Sequence, residues 1–115
     1  MKQRIFSYTL ILFFLPLYAQ ANTKDFDEVC QYFSTLSQHP QLEQMSHLAR
    51  NDFITQQIND NLSRFSNAKA SWQAVSSADP SQRYELFRSA AESVLNKSWQ
   101  CPIMEKLAPT TGQFE

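Results

Sequence analysis

Apolar residues along this chain recur at helical spacing wherever their spacing is regular. No segment alternates apolar with polar positions as a half-buried strand would. From Asp25 to Ser37, the residues Phe26, Val29, Cys30, Phe33 and Leu36 share one side of a helix. Asp25, Asp27 and Glu28 crowd its first turn, where they complement the helix dipole. His39-Pro40 ends it, because the residue before a proline is pushed out of helical geometry. Gln41 to Leu48 is a weaker segment; a short helix starting at Pro40 would turn Leu42, Met45 and Leu48 inward.

A stronger pattern starts near Asn51. Ile54, Ile58, Leu62 and Phe65 form one stripe, continued by Ala68, Trp72 and Val75, with Asp52, Gln56, Asp60 and Arg64 as a polar column. The span 51–76 fits one helix, or two helices broken at Ser66-Asn67. Within one helix, Asp60 and Arg64 would form an i,i+4 pair in the favourable order. Asp79-Pro80 is the clearest punctuation, a capping residue followed by a proline at the first helical position. Tyr84, Phe87, Ala91 and Val94 then line one face, widened by Leu86, Ala90 and Leu95, and the helix ends by Asn96 to Ser98. Cys101-Pro102 opens a last short helix through Ile103, Met104 and Leu107.

The pattern predicts an all-α fold, a small bundle of four or five short amphipathic helices forming a single domain over residues 22–108. A tail from 109 to 115, with the only glycine, is expected to fray.

The N-terminus is of another kind. Lys2 and Arg4 precede an almost wholly apolar run from Ile5 to Tyr18, and Ala19-Gln20-Ala21 supplies small residues where a signal peptidase cuts. The apolar run is about 14 residues, short of the roughly 20 needed to span a bilayer. The expectation is a secretory signal peptide over 1–21, cleaved after Ala21, with a periplasmic destination and no stable membrane anchor afterwards. Without Lys2 and Arg4, the 10 basic residues of the chain fall to 8 against 11 acidic, a net charge of −3. Such a balance lacks the basic footprint of a nucleic-acid binder.

Export makes Cys30 and Cys101 legible as one disulfide. Closing a loop of about 70 residues would stabilise so small a domain by roughly 4 kcal/mol on the chain-entropy model. There is no C-x-x-C to suggest a redox thiol.

The inventory for catalysis is thin. His39, Glu43 and His47 stand at i, i+4 and i+8, a spacing that would present two imidazoles and a carboxylate to a metal if one helix carried all three. Pro40 leaves His39 at best at the cap of such a helix, and the H-E-x-x-H pattern is absent. No G-x-S-x-G elbow or glycine-rich phosphate loop exists. Neither an enzyme nor a cofactor is expected.

The aromatic residues carry more. Phe26, Phe33, Phe65, Trp72, Tyr84 and Phe87 fall on inner stripes and are expected to pack the core. Tyr32 and Phe53 lie beside their stripes, and Trp99 sits in a connection next to Cys101, where it would cover the disulfide. These three are the candidate partner-binding residues. In size, expected compartment and its Cys30/Cys101 pair, the chain resembles the small periplasmic acid-stress chaperones and the small periplasmic immunity proteins. The first resemblance implies binding exposed by acid; the second implies constitutive binding of one protein. The leading expectation is thus a non-enzymatic, exported helical protein that binds a protein partner, with room for a homodimer. An acid-conditional chaperone is the alternative, and a small metal-binding protein or enzyme using His39, Glu43 and His47 is the third.

Overall fold

The computed structural model describes residues 24–112, so the expected leader lies outside them. Helix α1 spans 24–37 and opens with an ion pair between Lys24 and Glu28 at 3.7 Å. Its apolar stripe Phe26, Val29, Phe33 and Leu36 is fully buried. Helix α2 (His47–Asn61) is capped by Ser46, whose hydroxyl accepts the Ala49 N–H. Helix α3 (Asn67–Val75) is capped in the same way by Ser66, which accepts from Lys69. Helix α4 (Arg83–Leu95) follows the 3-10 turn Pro80–Gln82 and stops at Asn96, left-handed at φ 55°. Left-handed geometry of this kind ends helices, and asparagine tolerates it. Helix α5 (Pro102–Leu107) starts on its proline and runs into a 3-10 turn at Ala108–Thr110. Among the described residues there is no strand, as the periodicity requires.

Asp79 caps as the sequence indicates, but the segment it opens is the 3-10 turn, and α4 itself starts at Arg83 without a side-chain cap. The Asp79 carboxylate accepts from the Ser81 hydroxyl at 2.7 Å and the Ser81 N–H at 2.9 Å. The hydroxyl first, then the amide, hold its pKa below the usual carboxylate value.

The core is organised around aromatic rings meeting at steep angles. Phe87 of α4 lies 5.5 Å from Phe26 of α1, 6.2 Å from Trp72 of α3 and 5.6 Å from Trp99. Trp72 meets Phe33 edge-on at 5.6 Å. Tilted and edge-to-face pairs of this kind add about 0.5–1.5 kcal/mol each beyond burial. The Cys30–Cys101 disulfide forms, with Cα atoms 5.8 Å apart, and ties α1 to the residue that starts α5.

Several expectations are corrected. Residues 41–46 form only the 3-10 turn Leu42–Gln44, and α2 begins at His47, because the Ser46 cap sets the helix start there. Leu42 and Met45 still pack against the core, but Leu48 is exposed. The span 51–76 is two helices, separated by a turn in which the Ser66 N–H bonds the Ser63 carbonyl. That turn ends the i,i+4 register, so Asp60 and Arg64 form no ion pair and Phe65 leaves the stripe for the surface. Leu86 and Val94, counted inward from periodicity, are exposed at the margins of the α4 stripe.

The tail is corrected as well, through Arg83. This side chain is almost fully buried and makes no contact with a carboxylate. Its Nη1 donates to Asn51 Oδ1 at 2.8 Å and to the Thr111 carbonyl, and its Nη2 donates to the Ser76 carbonyl. Ser76 caps the C-terminus of α3, and Thr111 closes the last 3-10 turn. Both carbonyls belong to the negative ends of helical segments, which offset part of the cost of burying the cation. Burial still lowers the Arg83 pKa, although an arginine remains charged throughout the physiological range. Thr111 is consequently buried, with Gly112 beside it, so this part of the tail packs on the domain while Pro109 is exposed; residues 113–115 of the expected frayed tail lie outside the described residues. We expect Arg83→Lys, which keeps the charge but loses the planar fork, to cost about 2 kcal/mol, or roughly 10 °C in Tm. Thermal unfolding of the two proteins checks this; an unchanged Tm would mean the fork is dispensable.

Candidate functional site

The turn joining α2 to α3 presents the most exposed large apolar side chain described. Phe65 is 80% exposed, against 47% for Leu48, 44% for Leu86 and 39% for Val94. The turn that displaces it is locally specified. The Ser63 hydroxyl accepts the Phe65 N–H at 3.1 Å, and the Ser63 carbonyl accepts from Ser66 at 2.9 Å. Arg64 and Phe65 therefore occupy the two central positions of a β-turn, where side chains project away from the chain reversal. The Arg64 guanidinium lies 4.8 Å from the Phe65 ring centroid, a cation–π arrangement open to solvent. At the base of the same turn Leu62, Ser66 and Ala68 are buried.

Phe65 also lacks the intrahelical partner that its position usually finds. It precedes the cap Ser66, where a hydrophobic residue commonly packs against the fourth residue of the helix. That residue is Ala70, too small to cover a phenyl ring.

The three aromatic candidates from the sequence are placed differently. Trp99 is only 5% exposed, packed on Phe26 and Phe87. Its indole N–H donates to Asp27 Oδ1 at 3.0 Å, and its backbone N–H donates to Glu92 Oε2 at 3.1 Å. It is a core residue, because Asp27 satisfies the indole N–H and Glu92 the backbone N–H while its rings pack between Phe26 of α1 and Phe87 of α4. Tyr32 is half-buried against the core and donates to Glu28 Oε2 at 3.3 Å. Phe53 is half-buried and meets the His39 ring edge-on at 5.9 Å.

His39, Glu43 and His47 are distributed over three separate local structures. His39 Nδ1 accepts the Gln41 N–H at 3.1 Å, Glu43 lies in the 3-10 turn, and His47 is the first residue of α2. The single helix needed to align them does not form, and no group of three metal-ligating side chains occurs among the described residues.

Sequence reasoning passed over Arg83 and Asn51. Both had a signal: Arg83 lies four residues before Phe87, and Asn51 three before Ile54, so each falls on an apolar stripe. A polar residue on such a stripe is buried only with a partner, and these two partner each other. Phe65 was passed over as a surface residue, and its signal was the pair of serines flanking Arg64-Phe65.

Tyr32 offers a local check on this geometry. Burial, then the Glu28 charge and hydrogen bond, with a smaller push from Asp25, raise its pKa from the ordinary 10 to about 12. The phenol binds its proton more tightly in the folded state, so its contribution to stability is complete below about pH 10 and is lost as the pH rises towards 12. The phenolate absorbance of the protein, minus that of Tyr32→Phe, should titrate near pH 12, and Glu28→Gln should move it back part of the way to 10. A midpoint at 10 in the unaltered protein would refute the contact.

No protein-family model, curated protein or solved structure matches this chain.

Proposed function

We propose that this chain is exported and works in the periplasm as a non-enzymatic protein that binds a protein partner. The observation that carries the proposal is Phe65. Phe26, Phe33, Trp72, Tyr84, Phe87 and Trp99 are buried, and Tyr32 and Phe53 are half-buried, while Phe65 stands in solvent. Covering a phenyl ring is worth roughly 1.5–3 kcal/mol, which the isolated domain forgoes. An exposed aromatic on a rigid base, with an arginine stacked on it, has the composition of an interface hot spot. The disulfide supports an oxidising compartment, consistent with the leader expected from the sequence. We expect Phe65→Ala to change the unfolding free energy by less than about 0.5 kcal/mol, as surface substitutions do. The same change should abolish saturable capture of a partner from envelope extract by the mature protein. Equal capture by both forms would reject Phe65 as the anchor.

One observation favours a second reading, an acid-conditional chaperone. Asp27 and Glu92 are the acceptors that hold Trp99 over the core, and Arg88 shares Glu92 at 3.5 Å. Protonating the carboxylates would remove the charge-assisted part of both bonds while the net charge turns positive. On the favoured reading, near-UV circular dichroism stays constant and apolar-dye binding stays absent down to about pH 3 with the disulfide intact. Loss of fixed packing with new dye binding at retained helicity would transfer the assignment to the chaperone, and Asp27→Asn should then shift that transition to higher pH.

A further inference from the structure

The geometry around Phe65 points to the chemistry of its partner: an apolar pocket, sized for a phenyl ring and rimmed by carboxylates, on another protein. This inference rests on the protein-binding function proposed above. Its basis is where the free positive charge of the domain lies. Among the basic residues described, Lys24 and Arg88 are ion-paired, while Arg50 and Arg83 are engaged by backbone carbonyls. Arg64, Lys69, Lys97 and Lys106 remain, and the first two flank Phe65 within a single turn and helix start. No acidic residue occurs between Asp60 and Asp79, although acidic residues outnumber basic ones over the rest of the described chain. The aromatic anchor is thus set in a positive, acid-free segment of a domain that is otherwise acidic. Electrostatic complementarity then requires a negative rim on the partner.

A second observation says that this arrangement is not there for folding. Lys69 is the third residue of α3 after its cap Ser66. At that position Glu would complete a capping box with the serine, and a cation opposes the helix dipole. The segment therefore departs from local stability rules twice, with an uncovered Phe before the cap and a Lys where an acid belongs. Such departures concentrate at functional sites. An anionic membrane surface would match the charge, but one ring and two cations fall short of the two anchoring signals that stable attachment needs.

The test places the photo-reactive analogue p-benzoylphenylalanine at position 65 of the full chain and irradiates the cells that export it. We expect an adduct with one protein, mapped to an apolar residue that has Asp or Glu side chains beside it. The double change Arg64→Glu, Lys69→Glu should lower its yield on the order of tenfold. In the purified pair, raising the salt from 0.15 M to 1 M should weaken binding as the screening length falls from about 8 to 3 Å. Lys69→Glu alone should raise Tm by a few degrees while lowering the yield, a combination that a merely structural lysine would not give. A protein adduct unaffected by charge reversal and salt would overturn the acidic rim and leave the binding function standing. An adduct with phospholipid or with a second copy of the chain would replace this partner by a membrane or by self-association. No adduct at all would reject both the partner and the function.

Discussion

A guanidinium held among neutral acceptors governs how the ends of this bundle meet. Arg83 is a buried cation without a carboxylate, and its charge is met by the carbonyls that terminate α3 and the last 3-10 turn, together with Asn51 of α2. An unpaired buried charge is costly, so each of these acceptors must stay where it is for the fold to survive. The guanidinium thereby bridges the end of α3, the start of α4 and the chain after α5. The Arg83 guanidinium also sits 5.7 Å from the Trp72 ring centroid, which links the polar node to the aromatic core.

Two other devices act on different states of the chain. The Cys30–Cys101 link, 71 residues apart in sequence, mainly restricts the unfolded ensemble. The rings of Phe26, Phe33, Trp72, Phe87 and Trp99 act on the folded state, joining α1, α3 and α4 through contacts that a loosened core would lose. Trp99 lies between these devices, two residues before Cys101 and braced by Asp27 and Glu92. Tyr84 reinforces the same region by accepting the Cys101 N–H at its hydroxyl.

This rigidity bears on the proposed binding surface. Leu62 and Ala68, on either side of the α2–α3 turn, are anchored in the core, and Ser63 and Ser66 fix the turn between them. Phe65 is consequently presented by a short, constrained segment. A partner that covers it has little backbone entropy to remove, which is how a small contact can carry useful affinity.

The sequence by itself determined the all-α class, the α1 stripe, the Asp79-Pro80 start, the Cys101-Pro102 start and the pairing of the only two cysteines. Each of these follows from local spacing, from a capping or proline rule, or from having one partner available. Tertiary structure decided the rest. Periodicity assumes an unbroken helix, so it carried Phe65 inward past a turn set by two serine hydroxyls. It ranked polar residues as outward, so it missed Arg83 and Asn51, whose burial is tolerable only because distant segments bring acceptors to them. It saw no core contact for Thr111, whose place depends on an arginine 28 residues away. Local rules describe what a segment prefers, whereas the burial of a charge or the exposure of a ring depends on which other segments arrive beside it.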